Sequence, residues 1–514
     1  MRLQRSVLFF VLPPIALFIA GCGAARRDPS SSVDVSATDA SVVARELSVD
    51  EQARHVLDRL AFGARPGDVE RVKSIGVDAW IALQLHPERI PEDSADRLAD
   101  RLTSPFVSPA DAMRGLAAGR GDSAARRLVR QRYGEAARAV QAARVARAVG
   151  SERQLQETLV DLWANHFSVY AGKGPVRLYL AQYENEAIRP HVLGKFRDLL
   201  GAVAHSPAML FYLDNWQSVA DSLHPTLASA QRGGERGARP RGAVRVGARG
   251  RGGSRRAAPR GVARPRPQGG AKARRARGLN ENYGRELLEL HTLGVDGGYT
   301  QQDVIEVARS FTGWSIAAPR DGGGFVFRPA VHDAGAKHVL GQTIAAGGGE
   351  KDGERVLDIL AREPATARMV AITLARRLVS DDPPASVIDR AVATYMRTDG
   401  DLREVVRTIV TGPEFFSRAA FRAKVKSPLE LVASSLRATG TPVEATPRAA
   451  RAVAQLGEPL YGHQTPNGWP ERSSEWLNAG AVADRVNFIA ALVARPQVDD
   501  SLRTILESPD FQRR

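Results

Sequence analysis

Apolar side chains recur at the three- and four-residue spacing of an amphipathic helix through most of this 514-residue chain, which leaves little room for a sheet. Leu155, Leu159, Leu162 and His166 fall on one face of a helix expected over 154–170. The same reading predicts helices over 55–60, 66–75, 78–85, 124–148, 353–362, 364–379, 386–397, 402–411, 428–439 and 479–493. Pro364 and Pro428 stand in first turns, where a missing N–H costs nothing. A phrase built from a helix end, a Ser/Gly-Pro restart and an apolar anchor recurs at Ser206-Pro207, Gly412-Pro413 and Ser508-Pro509. It marks helix boundaries and is too widely spaced for a solenoid. Strand signals are few: Phe325–Phe327 and His338–Leu340 flank a turn-rich segment and predict one small hairpin near 325–340. The expected fold is mainly α, a large multi-helix domain.

One segment cannot join that domain. The formal charge of +15 suggests a nucleic-acid binder until it is located. Residues 231–278 hold fifteen Arg, Lys272 and Glu235, so the tract alone accounts for the excess and the remainder is neutral. Arg, Gly, Ala and Pro dominate it, without aromatic residues or apolar periodicity, so it buries too little to offset its ordering entropy. It could bind polyanions, act as a charge-extended linker, or result from reading GC-rich DNA out of frame. We expect 48–228 and 279–514 to be two halves of one domain interrupted by a disordered stretch at 229–278.

The N-terminus carries an export pattern. Arg2 and Arg5 precede an apolar run from Val7 to Ala20 that is short for a membrane span. The run ends in Ile19-Ala20-Gly21-Cys22, which resembles a bacterial lipobox, and Cys22 is the single cysteine. A lone thiol excludes an internal disulfide and any multi-cysteine metal site. Residues 1–21 are thus expected to be a lipoprotein signal peptide, Cys22 the lipidated residue, and 22–47 a flexible tether. With Gly23 following, an outer-membrane anchor is expected if the cell has two membranes. Export also removes the usual nucleic-acid partner.

Ionisable residues concentrate between 279 and 314. Asn280 is a natural N-cap and Gly294 a natural stop. Between them Tyr283, Leu287 and Leu290 form a buried stripe, while Asn282, Glu286 and Glu289 share another face and His291 a third. Thr300 and Asp303 open a second helix with a capping-box pattern. The pair presents carboxylates, an amide, Arg285 and a histidine. Glu286 is a candidate acid/base, with Glu289 as its neighbour, and His332-Asp333 lies in a Gly-rich loop of the kind that often carries function. His166 is a third catalytic candidate; Trp314 and Trp469 are candidate binding walls. Each has a structural alternative: ion pairing for the glutamates, a helix-dipole partner for His291, an Asp turn for Asp333, core packing for His166 and the tryptophans. His166, Glu286, His291, His332 and Asp333 could ligate a divalent metal only by converging in space, because no metal-binding spacing is present. The cofactor therefore stays unassigned.

These motifs resemble a bacterial family known as domain of unknown function 1800. The likeness rests on the 279–314 block, Trp163-Ala-Asn165-His166-Phe167, His332-Asp333-x-Gly335-x-Lys337-x-x-Leu340-Gly341, and Gly457-x-Pro459-Leu460 running to Asn467-Gly468-Trp469-Pro470. His55-Val-Leu-Asp-Arg59-Leu-Ala-Phe62-Gly63 is similar too. The resemblance covers the chain from about residue 50, except 225–278, where the family usually has a short polar linker. Gly284 replaces a more usual alanine. The resemblance implies a secreted bacterial protein encoded beside another exported protein, adds Lys337 to the binding candidates, and supplies no activity or cofactor. The expectation is an envelope-anchored protein with a polar cleft that hydrolyses an extracellular polymer. The alternative is a non-catalytic binding or assembly protein with an exported partner.

Overall fold

The helices begin where short polar side chains can cap them. The computed structural model describes residues 45–106, 108, 123–221, 224–230, 278–318, 321–496 and 498–514, all in one unit, Arg45–Arg514. The leader, Cys22 and residues 231–277 of the Arg-rich tract lie outside the described residues. Ser48 caps the first helix in a reciprocal box with Glu51. The N-terminal part comprises α1 (Val49–Arg59), α2 (Asp68–Ile75), α3 (Val77–Gln84), α4 (Ser94–Thr103), α5 (Ser123–Gly150), α6 (Gln154–His166), α7 (Val176–Gln182), α8 (Phe196–His205) and α9 (Pro207–Tyr212). Ser206 ends α8 and its hydroxyl accepts from the Ala208 amide at 3.3 Å to start α9, the restart expected of the Ser-Pro phrase.

The C-terminal part opens with α10 (Glu281–Glu289) and α11 (Gln301–Ser310), which form a helical hairpin. Four short strands follow: β1 (Trp314–Ile316), β2 (Phe325–Phe327), β3 (Lys337–Val339) and β4 (Gln342–Ile344). Then come α12 (Lys351–Arg362), α13 (Pro364–Leu378), α14 (Ala385–Arg397), α15 (Leu402–Val410), α16 (Pro428–Ala438), α17 (Ala450–Gln455), α18 (Ala479–Val493) and α19 (Asp500–Glu507). The fold is mainly α, and one hydrophobic cluster runs from Leu47 to Leu506 through both parts. Among the described residues no helix is long and apolar enough to cross a membrane.

The hairpin pairing differs from the expected one. β2 pairs antiparallel with β1, and β3 pairs with β4, so Phe325–Phe327 never meets His338–Leu340. The segment between them is pinned elsewhere: the Asp333 amide donates to the Thr312 hydroxyl and Arg309 grips the Asp333 carboxylate. β3 and β4 close through Leu340 and Gly341, both at positive φ (48° and 75°), the handedness that matches strand twist. A leucine in that conformation costs about 1–3 kcal/mol, so sequence gave no warning of a turn there.

Where the described chain resumes at Gly278, it lies beside Ser218 and Val219. The Val219 amide donates to the Gly278 carbonyl at 3.3 Å, and the Asn280 amide to the Ser218 hydroxyl at 3.2 Å. Asn280 then caps α10, its side chain accepting from the Tyr283 amide. The α10–α11 crossing explains Gly284: a Cβ there would lie 2.8 Å from the Val304 carbonyl oxygen and 3.1 Å from the Ala308 nitrogen. The clash is with backbone, which cannot step aside cheaply. Gly284→Ala gains up to about 1 kcal/mol of helix propensity but overpacks the crossing by about 1–3 kcal/mol. We predict a net loss of stability in urea unfolding; a stabilised variant would show that the crossing yields.

Candidate functional site

The polar residues singled out from sequence separate into an enclosed cluster and an open cleft. The enclosed cluster contains His332, Asp333 and Lys337, each 0 % exposed. His332 places Nδ1 2.7 Å from the Thr312 carbonyl and Nε2 3.0 Å from an Asp352 carboxylate oxygen. Lys337 Nζ donates to the Asp333 carbonyl at 2.6 Å and to Asp352 at 2.5 Å. Arg309 holds the Asp333 carboxylate at 2.8 and 3.2 Å and also binds Glu306 at 2.7 Å. Burial alone would raise the Asp333 carboxyl; Arg309 and the Gly335 amide outweigh it and hold it below the usual range. This network ties α11 to α12 and to the segment that leads into the Arg-rich tract, where the Leu227 amide donates to the His332 carbonyl at 3.0 Å. Neither His332 nitrogen is left to meet a substrate. Trp314 is likewise enclosed at 0 % exposure, with Phe311 and Phe325 rings 4.7 and 5.2 Å away, and so offers no binding wall.

The open cleft forms at the end of α6, against the 457–476 loop. Asn165 makes a two-point bond to that loop: its Nδ2 donates to the Trp469 carbonyl at 2.8 Å, and the Trp469 amide donates to its Oδ1 at 2.7 Å. The amide side chain thereby replaces a strand partner. Gly468 makes the approach possible, since at φ 68° a Cβ would sit 2.4 Å from the Asn165 carbonyl oxygen. Two of the sequence motifs are thus halves of one contact. The resulting hollow has a volume of about 330 Å³ and is lined by His166, Thr373, Arg376, His463, Asn467, Trp469 and Glu475 among others. His463 meets Trp469 edge-on at 4.7 Å, and its Nδ1 approaches the Thr465 carbonyl at 2.9 Å.

His166 joins this cleft to the 279–314 block. Its Nε2 lies 3.3 Å from the His291 carbonyl, and Phe167 packs between the two rings at 4.6 and 5.2 Å. His291 is only 1 % exposed. Desolvation pushes His166 down to about 4 against the pull of the His291 carbonyl. Burial, with His166 adding to it, pushes His291 down to about 3. Glu286 is half-buried, and its carboxylate makes no hydrogen bond or ion pair among the described residues. Desolvation and then Glu289 raise its carboxyl, Arg285 opposing. Its charge reaches Tyr212, whose hydroxyl donates to the Gln464 carbonyl at 2.9 Å in the cleft loop. The other α10 candidates are occupied or peripheral. Glu289 accepts from the Tyr299 hydroxyl at 3.0 Å, Arg285 donates to Gln301 at 2.6 Å, and Asn282 is exposed. Among the described residues no three His, Cys, Asp or Glu side chains are grouped to hold a metal ion.

Behind the cleft lies a charge lattice that sequence reasoning missed. Arg377, 3 % exposed, contacts Asp161 at 2.7 Å, Glu430 at 3.1 Å and Glu471 at 3.3 Å. Glu430 also receives Arg514 at 3.0 Å, and Arg144 reaches Glu184 at 3.0 Å. Burial would raise Glu430, but Arg514 and Arg377 hold it down at about 2. Burial and Asp161 raise Glu458, which accepts from the Leu429 amide at 2.8 Å. One signal was available: Asp161 precedes Asn165 by four residues and so shares its helix face.

Fold and site together define a mainly helical protein whose two parts meet at a polar, aromatic-edged cleft. The family model described as "Protein of unknown function (DUF1800)" matches residues 55–513, and the chain belongs to that family. No curated protein and no solved structure matches it.

The neutral histidines give the protein an acid-sensitive centre. An unfolded histidine titrates near 6.5. Below that pH the unfolded chain takes up protons that the folded His166 and His291 refuse, so stability falls as pH drops from about 6.5 toward 4. Each ring contributes a slope of up to about 1.4 kcal/mol per pH unit. His166→Gln is expected to flatten the fall in urea-unfolding free energy across that window; an unchanged slope would mean that His166 is charged in the fold.

Proposed function

We propose that the protein is an exported, lipid-anchored envelope protein that binds a hydroxyl-rich extracellular polymer in the Asn165–Trp469 cleft. One observation carries this reading: an open hollow whose aromatic edge stands beside uncommitted donors and acceptors. Among the described residues the Glu475 side chain makes no hydrogen bond or ion pair, and the Asn467 amide nitrogen makes none either, its oxygen accepting from Thr465 at 2.6 Å. Arg376 brings one positive charge opposite the acids Glu471 and Glu475. Mixed donors and acceptors around an aromatic face suit a ligand bearing hydroxyls rather than a strong anion or cation. The lipobox-like sequence before Cys22 supports the anchor.

A second reading, hydrolysis of the same bound polymer, draws on Glu286. Its carboxyl is raised, has no side-chain partner among the described residues and lies within electrostatic reach of Tyr212, the last residue of α9, whose hydroxyl bonds the cleft loop, which suits a general acid. Partnership with another exported protein would use the same face.

Binding of the purified protein to a panel of neutral polysaccharides tests the proposal. Glu475→Ala, a change at an exposed position, is expected to weaken binding about tenfold, or about 1.4 kcal/mol. Glu286→Gln should leave binding intact and remove turnover where turnover is detected. In cells, Cys22→Ala should release the protein from the membrane fraction without loss of polymer binding. Absence of binding across the panel, or equal binding by Glu475→Ala, contradicts the assignment.

A further inference from the structure

A second cavity, remote in composition from the cleft, lies where α1 and the 63–70 turn face α19 and the C-terminal turn. Its volume is about 590 Å³. Val69, Ala438, Leu502 and Phe511 supply apolar wall, and Ile505 stands 56 % exposed at its side. At its base is Lys426, only 4 % exposed. Its Nζ sits 3.8 Å from the Phe511 ring centroid and makes no hydrogen bond or ion pair among the described residues. A buried ammonium ordinarily acquires a carboxylate partner, because desolvating it unpaired is costly. Asp58 and then Glu430 act on Lys426 electrostatically, and neither forms an ion pair with it.

The rest of the lining carries both signs, with the Glu70 carboxylate exposed and without a hydrogen-bond or ion-pair partner among the described residues. Arg54 is exposed on the same cavity and has no hydrogen-bond or ion-pair partner among the described residues. Asp58 also lines it, but burial raises its carboxyl against the pull of Lys426, Arg422, Arg59 and Arg54, which eases its protonation. Of the remaining cations, Arg65 is engaged with Asp68 and Glu152 and Arg422 with Asp510, while Arg513 reaches only the Arg422 carbonyl, at 3.5 Å.

We propose that this groove binds an amphiphile with one anionic head, carboxylate or phosphate, and an apolar body. The head would sit on Lys426 with Arg54 at the rim, and the body would lie along Leu502, Ile505 and Phe511. The volume suits one chain-like molecule of this kind, and removing the ammonium's vacancy and the apolar wall from water supplies the affinity. Neither element recurs in the Asn165–Trp469 cleft, so the two sites are independent.

Calorimetric titration of the full chain with laurate, dodecyl phosphate, dodecanol and inorganic phosphate, each kept below its micelle concentration, tests the assignment. The two anionic amphiphiles are expected to bind, while dodecanol and inorganic phosphate bind at least about tenfold more weakly. Lys426→Met should reduce laurate affinity by about tenfold or more. Ile505→Glu, at an exposed position that threatens no core packing, should do the same. Equal binding of dodecanol and laurate would remove the role of Lys426, and binding of inorganic phosphate as tight as dodecyl phosphate would leave a simple anion site. Full affinity in Ile505→Glu, or no binding of either anionic amphiphile, would overturn the proposal.

Discussion

The Arg377 guanidinium is the contact on which the architecture turns. It lies on α13, yet it binds Asp161 on α6, Glu430 on α16 and Glu471 in the cleft loop. A charge this deep is tolerated only with several partners in good geometry, and losing one partner of such a pair costs about 3–5 kcal/mol. Both of its arms are therefore fixed by the same requirement: α6 must present Asp161, and the loop must bring Glu471 home. Once both are satisfied, Asn165 stands one turn beyond Asp161 and meets Trp469, two residues before Glu471. The cleft is the outer surface of that arrangement.

The enclosed His332 cluster and the open cleft contain similar residue types, and what separates them is water. Around His332 each polar group has found a protein partner, so the cluster works as a clamp between α11, α12 and the segment that leads into the Arg-rich tract. In the cleft several polar atoms have no partner among the described residues and face a hollow. Lys426 presents a third case, a buried cation with no acidic partner among the described residues and with an open cavity beside it. Satisfaction of polar groups, more than residue identity, distinguishes structure from site here.

Many helices were legible in the sequence because their signals are local. Asn280 and Thr300 each cap a helix through side chains a few residues away, and Pro364 and Pro428 fill first turns, whereas the Ser48 cap was passed over and the first helix opens at Val49, six residues before the expected start. The site was legible only in part. His166 and Trp469 were singled out and do line one cleft, but their connection depends on Asn165 bonding across 304 residues. Arg376 and Arg377 are adjacent and chemically identical, yet the first is partly exposed and the second buried, a difference made by Asp161, 216 positions away in the chain. Leu340 turns a hairpin that no local residue preference would place there. Long-range pairing and strained turns leave no periodic trace, so they emerge only from the folded chain.

Hydrogen exchange at the Trp469 amide tests this account most directly, because that amide is bound by Asn165 Oδ1 in front of the lattice. Asp161→Asn keeps the side chain's shape and removes the charge that Arg377 needs. The account predicts exchange at Trp469 faster by about tenfold or more, a loss of about 1.4 kcal/mol or more in local opening, with α8 amides unchanged. Protection at Trp469 equal to that of the parent would mean that the cleft stands without the buried charge lattice.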